Sequence, residues 1–252
     1  MNEPQQRLGP TTLAALPAAM VHLHKTVWSP DELGAQIGDV VHVRNAHLYG
    51  RLIRRCLGSW GDHDGTLVHV TAERRRAFRL DFQGWGVAEA APPRFRITPW
   101  REYFRALEAR QKRLVFLRVP APALVRFDVE DLAYTYTGRR YDKLAIAGMA
   151  LQILFRANAR WNARWSWYCT EAVAEQWRVA SEVLGWGARF NVWGAEDSLP
   201  TPGTTEKRWR EHTLQLVVPG VDVPDYGAAE FAAYWGNSAP RGGGGQNGVA
   251  RA

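Results

Sequence analysis

The sequence predicts an α+β fold in which a small antiparallel sheet packs against helices, and three observations predict it. Strand-like alternation recurs in VVHVR, GTLVHVT, AFRLDF and LVFLRV, helical periodicity stands before, between and after these runs, and no self-similar repeat is visible. A cluster of strands bracketed by helices is the pattern of a layered α+β domain. With 252 residues, of which 46% are hydrophobic and 23% charged, the chain has the composition of a globular protein with a full core. The expected organisation is one domain over residues 1–240, with its core at about 38–202 behind an N-terminal extension. Residues 241–252, which contain Gly242 to Gly245, read as a disordered Gly-rich tail because they hold too little apolar surface to order themselves.

The elements follow in order. Asp31 to Ile37 reads as a short helical or turn segment, broken by Gly38 and Asp39 ahead of the alternating strand VVHVR. In HLYGRLIRRCLGS, Leu48, Leu52, Ile53, Cys56 and Leu57 recur at helical spacing, with Gly58 at the stop position. GTLVHVT and AFRLDF then read as two adjacent strands, with the charged run ERRR as their connection. PRFRITP, bounded by Pro93 and Pro99, is an edge segment, WREYFRALEARQKR a helix, and LVFLRV a further strand. Val129 to Tyr136 reads as helix. After it come the apolar-rich segment GRRYDKLAIAGMALQILFRANARW and a short aromatic strand or turn, WSWY, which feeds a helix ending at Gly185 or Gly187.

Composition narrows the function classes. No apolar run reaches the roughly 18 residues of a membrane span, and the first twenty residues lack the charged start and continuous apolar stretch of a Sec-type signal. The expected location is therefore cytoplasmic as synthesised, with association with a virion or delivery to the periplasm as the alternatives. Two cysteines, Cys56 and Cys169, make at most one disulfide, so free thiols are expected. The net charge of +7 suits an anionic partner. Four of the 32 basic residues are Lys and 28 (32 − 4) are Arg, scattered rather than striped, so no specific nucleic-acid partner is expected.

The chemistry centres on Cys169. It falls where Trp167 and Tyr168 hand over to the helix, at or just before a helix N-terminus, where the helix dipole stabilises a thiolate and activates it as a nucleophile. The alternative is a small buried hydrophobe, which is also the expectation for Cys56 in mid-helix. Among seven histidines His63 stands apart, in WGDHDGT, ahead of a strand and between two aspartates, whereas His42 and His69 alternate with valines inside strands.

The succession GDVVHVR, amphipathic helix, DHDGTLV, RLDF with GWGV, GRRYDKLA and WYCTEAV resembles the circularly permuted NlpC-like papain-fold hydrolases, the YiiX-like group, over roughly Gly38 to Pro202. The resemblance implies a permuted papain-like fold and a cysteine hydrolase without metal or cofactor. It casts Cys169 as nucleophile, His63 as general base and Asp81 as the acid that orients the imidazole, with Glu89 as its competitor. Strand alternation in AFRLDF would put Asp81 with Arg79 on the polar side. The same resemblance gives Tyr141, Trp167 and Tyr168 a substrate-lining role and Asp142 a capping role, and it leaves Glu171 in the first turn of the nucleophile helix, where a carboxylate suits the dipole.

The implied substrate is an amide in bacterial cell-wall peptide, with acyl lipids second and virion or secretion-system partners for delivery. A structural or assembly protein that keeps the fold is the non-enzymatic alternative. Asp62 and Asp64 depart from the group's pattern, and two carboxylates beside His63 would favour its charged form. The tryptophans at 161, 165, 167, 177, 186 and 193 would either wall a cleft or fill the core, and LQILFRANARWNARW would either lie in an interface or be buried with snorkelling arginines.

Overall fold

The computed structural model describes residues 29–109, 111–141, 166–193, 200–211 and 213–217. Their strands are β1 (Val40–Asn45), β2 (His63–Val70), β3 (Gly84–Ala91), β4 (Arg94–Pro99), β5 (Lys112–Arg118), β6 (Arg140–Tyr141), β7 (Ser166–Trp167) and β8 (Gln215–Leu216). They form one sheet in the order β7-β6-β4-β3-β2-β1-β5-β8. Every pairing is antiparallel except β6 with β7. The helices are α1 (Leu48–Leu57), α2 (Ala72–Ala77), α3 (Trp100–Glu108), α4 (Ala123–Tyr136), α5 (Cys169–Arg178) and α6 (Pro202–Arg210). The fold is α+β, as the residue pattern predicts.

Alternation along the central strands sorts the core into two faces. Val41, Val43, Leu67 and Val87 point one way and bury Trp100 and Tyr103 of α3. Val40, Val115 and Leu117 point the other way and bury Val125 and Val129 of α4 with Val173 and Trp177 of α5. Burial of each such side chain contributes about 1.5–3 kcal/mol. Trp177 and Trp193 are fully enclosed here, so these two tryptophans fill the core rather than wall a cleft.

One expected strand is a different element. Thr71 caps a helix by accepting from Arg74 N at 3.2 Å, and the run AERRRA continues it, since Ala, Glu and Arg favour helix. Arg79 then takes a φ of 53°, in the left-handed region, so AFRLDF is the end of α2 and a bend rather than a strand. The strand paired with β2 begins only at Gly84. PRFRITP, expected at an edge, pairs along β3 and meets β6 only at Arg94. α5 begins at Cys169 and runs through a wide turn over Val179–Val183 to Gly185, whose φ is 82°. The long segment after Tyr141 lies outside the described residues, as do Asp142, Trp161, Trp165 and the Gly-rich tail.

Candidate active site

β2 delivers two neighbouring residues to two neighbouring residues of α5. His63 and Asp64 are consecutive in an extended strand and so face opposite sides of the sheet. Cys169 and Thr170 are the first two residues of α5, held by a turn in which Ala172 N–H donates to the Tyr168 carbonyl at 3.0 Å. The Cys169 side chain neighbours His63 and favours its charged form, while Thr170 Oγ1 donates to Asp64 Oδ2 at 2.7 Å. The strand that carries the imidazole is thereby fixed to the helix that carries the thiol.

The other side of the His63 ring is held by Glu89. His63 Nε2 lies 2.8 Å from Glu89 Oε2, which leaves Nδ1 as the ring nitrogen for the thiol. Glu89 is 3% exposed. It accepts further hydrogen bonds from Thr98 Oγ1 at 2.6 Å and from the Tyr103 hydroxyl, and Arg96 Nε stands at 3.5 Å. Burial works against the carboxylate's charge, but the bond to His63, its positive charge and that of Lys112 outweigh it and hold Glu89 well below the usual carboxylate range. Burial likewise opposes a charged His63, yet the charge and hydrogen bond of Cys169, then those of Glu89, push the ring up to about 10. Cys169 is 5% exposed and His63, at its side chain, 15%, so both are largely buried.

Asp62 and Asp64 do not press on His63 as their sequence positions imply. Asp62 accepts from Asn45 N at 2.8 Å, Asn45 Nδ2 at 2.8 Å and Arg54 at 2.6 Å. Asp64 Oδ1 lies 2.6 Å from His42 Nδ1, and its Oδ2 accepts from Thr170 and from Thr205 Oγ1, the latter at 2.9 Å. The far nitrogen of His42 is 3.3 Å from Glu206 Oε1, which also accepts from the backbone N–H groups of Trp60 and, at 2.9 Å, Gly61. Gly61 packs so closely over this ring that a Cβ there would meet His42 Nε2 at 2.3 Å. Burial disfavours a charged His42, but the two carboxylates outweigh it and raise the ring to about 9.

The other expected residues scatter. Asp81 is exposed, in the bend after α2, and Glu89 is the carboxylate on His63. Tyr168 is fully buried as the N-cap residue of α5 and presents no surface to a substrate. Tyr141 is half-buried on β6 against the core cluster that holds Phe95 and Ile97. Trp167 pairs with Tyr141 through the backbone of β7, and its side chain lies outside the description, as does that of Cys56 in α1. Tyr103, Thr98, His42 and Glu206 escaped the sequence reading. Among the described residues no group of three or more His, Cys, Asp or Glu is arranged to hold a metal ion, and no helix is long and apolar enough to cross a membrane.

Fold and site together define an α+β protein whose helix-borne cysteine meets a histidine backed by a buried glutamate. No family model matches the chain, and no curated protein does. Among solved structures it is similar to the crystal structure of the metalloprotein YiiX (DUF1105) from Escherichia coli O157:H7. That similarity has 19% identity and a TM-score of 0.41, and covers 73% of this chain and 89% of that one.

Proposed function

We propose that the protein is a cysteine hydrolase of permuted papain-like fold that cleaves an amide through an acyl-enzyme on Cys169, with His63 as base and Glu89 as the group that orients it. The observation that carries this reading is the position of His63 between the thiol and a buried carboxylate. His63 holds the thiol's proton, the state its raised affinity favours, while Sγ bonds to the substrate carbonyl carbon. It returns the proton to the leaving amine as the C–N bond breaks. Water, deprotonated by the same ring, then hydrolyses the thioester, releasing the acid and restoring the thiol. The Cys169 backbone N–H, which has no acceptor within its own helix, is an oxyanion donor at the point of attack.

Glu89 holds the ring by one nitrogen and stabilises the imidazolium, the role of the carboxylate in a Ser-His-Asp triad. Peptide amides of the bacterial cell wall are the first substrate class to test, on the strength of the sequence motifs. The deciding experiment treats the intact protein with iodoacetamide at neutral pH and maps the adduct. Rapid alkylation of Cys169, slowed by roughly a hundredfold or more in His63→Ala, is the expected result. Labelling no faster than that of an ordinary thiol, and equal in the variant, overturns the reading.

A further inference from the structure

α1 is amphipathic, and it is mounted with its apolar side outward. Leu48, Tyr49 and Leu52, which share one helix face, are 75%, 50% and 52% exposed. The inward face is the polar one. Arg54 donates to Asp62 Oδ1 at 2.6 Å and to the Asn45 carbonyl at 2.7 Å. One turn earlier, Gly50 rests against the same carboxylate so closely that a Cβ there would meet Asp62 Oδ2 at 2.5 Å. Gly50 and Arg54 are four residues apart and lock this side of the helix onto Asp62. His47 fixes the start by accepting from Gly50 N at 2.9 Å. The helix cannot roll to bury its leucines without giving up a buried ion pair.

Among the described residues, the charges that α1 itself carries are positive. Within LYGRLIRRCL there is no acid, and Arg51 and Arg55 flank the leucines as exposed side chains. Arg44 and its cross-strand neighbour Arg113 add positive charge at this end of the sheet. The nearby carboxylates Asp62 and Glu206 are buried and turned inward onto Arg54 and His42.

We propose that the outward face of α1, with Leu48, Tyr49 and Leu52 as the inserted side and Arg51 and Arg55 as its cationic rim, seats the protein on an anionic lipid surface. An interface of acyl chains beneath negative headgroups satisfies both halves of this face at once. A second copy of the chain would place arginines against arginines. The docking does not rest on the reading of Cys169 as nucleophile.

The test is co-sedimentation of the full chain carrying Cys169→Ala with vesicles of phosphatidylglycerol and phosphatidylcholine in equal parts, and with phosphatidylcholine alone. Expected is binding to the anionic vesicles that weakens as salt is raised. It should fall by about tenfold or more in Leu48→Asp/Leu52→Asp and in Arg51→Gln/Arg55→Gln, and stay unchanged in Leu124→Asp, which alters a 53% exposed leucine on α4. Absence of vesicle binding, or equal binding by the α1 variants, overturns the proposal. So does a concentration-dependent rise in mass that Leu48→Asp/Leu52→Asp abolishes, which would mean self-association. A drop in melting temperature in that variant without vesicle binding would mean the face is covered by the chain itself, with the same consequence. If vesicles bind while wild-type Cys169 proves unreactive, the docking stands and the hydrolase reading falls.

Discussion

His42 on β1 and His63 on β2 are two imidazoles wedged against carboxylates on opposite faces of the same sheet, and they have opposite fates. His42 has an acid on each nitrogen, Asp64 at 2.6 Å and Glu206 at 3.3 Å, and is 1% exposed. His63 has an acid on one nitrogen only, and Cys169 is its neighbour. A ring saturated on both sides can only hold charge and geometry. One with a single carboxylate is oriented, keeps the right tautomer and still has a nitrogen with which to move a proton. The sealed ring supports the other, because Asp64, held ionised by His42, is the acceptor that fixes Thr170 next to Cys169.

The sharpest way to break this comparison is to delete each ring. His63→Ala leaves a protein that folds but alkylates at Cys169 slower by two or more orders of magnitude, the scale of a lost general base. His42→Ala leaves Asp64 and Glu206 buried without their cation, which costs about 3–5 kcal/mol, and the variant melts far lower or fails to accumulate. Thermal melts and alkylation rates of the two variants side by side check both. Loss of alkylation in a well-folded His42 variant would make His42 the base and reverse the assignment.

pH separates the pair next. His42 is raised from 6.5 to about 9 in the folded chain, so the fold binds its proton more tightly than the unfolded chain does. Its contribution is complete below about pH 6.5 and disappears as pH climbs through about 9. His63, raised from 6.5 to about 10, adds a loss of the same sign over the same range and alone carries it on to about pH 10. Melting temperature should therefore decline from neutral pH toward pH 10. His63→Ala and a His42→Gln variant that folds should each remove a comparable share of the decline across pH 7 to 9, and His63→Ala should also remove the part between about pH 9 and 10. A decline carried wholly by His63 would show that the sealed network is not a charged one.

Much of this was legible in the residues. The α+β class, the strands VVHVR and GTLVHVT and the start of a helix at Cys169 follow from alternation, turn glycines and a cysteine at a helix entry. What escaped has one physical cause, that carboxylates find partners in space rather than in sequence. His42 reads as one more residue in an alternating strand, and nothing local announces that Glu206, 164 residues on, closes its far side. Asp62 and Asp64 look like a charged collar around His63, but Asp64 points to the other face of the sheet, toward His42, and Asp62 is taken up by Asn45 and Arg54. The capping signal Thr71-Ala-Glu-Arg was on the page and was outweighed by the alternation of Phe78, Leu80 and Phe82. Helix propensity and a single left-handed residue at Arg79 decided the segment.

The next effect is on Glu89. Replacing it with Gln removes the charge that holds the imidazolium while keeping the shape. Because a neutral amide also offers a donor where His63 needs an acceptor, the wrong ring tautomer is stabilised. Turnover and Cys169 alkylation should fall by roughly a hundredfold or more, as when the orienting acid of a triad is neutralised. Stability also falls, since Thr98 and Tyr103 lose a charged acceptor. A Glu89→Gln protein as reactive as wild type would reduce the site to a Cys-His dyad.

The smallest expected effect belongs to Asp81, the acid that the sequence motifs favour. In the fold it sits in the bend after α2, exposed, short of the point where Gly84 begins β3. The alternation argument needs an extended chain from Ala77 to Phe82, and the left-handed φ of 53° at Arg79 removes that premise, so no register carries Asp81 toward His63. The Nε2 that an orienting acid would engage is already taken by Glu89 at 2.8 Å. Asp81→Asn should therefore leave alkylation of Cys169 within about twofold of wild type, and stability within about 0.5 kcal/mol, the range of an ordinary surface change. Measured beside Glu89→Gln, it is the control that gives the larger loss its meaning. Were Asp81→Asn to silence the thiol while Glu89→Gln spared it, the buried carboxylate would be a structural ion and the exposed one the partner of His63, with the segment from Ala77 to Phe82 refolded into the strand that its alternation spells.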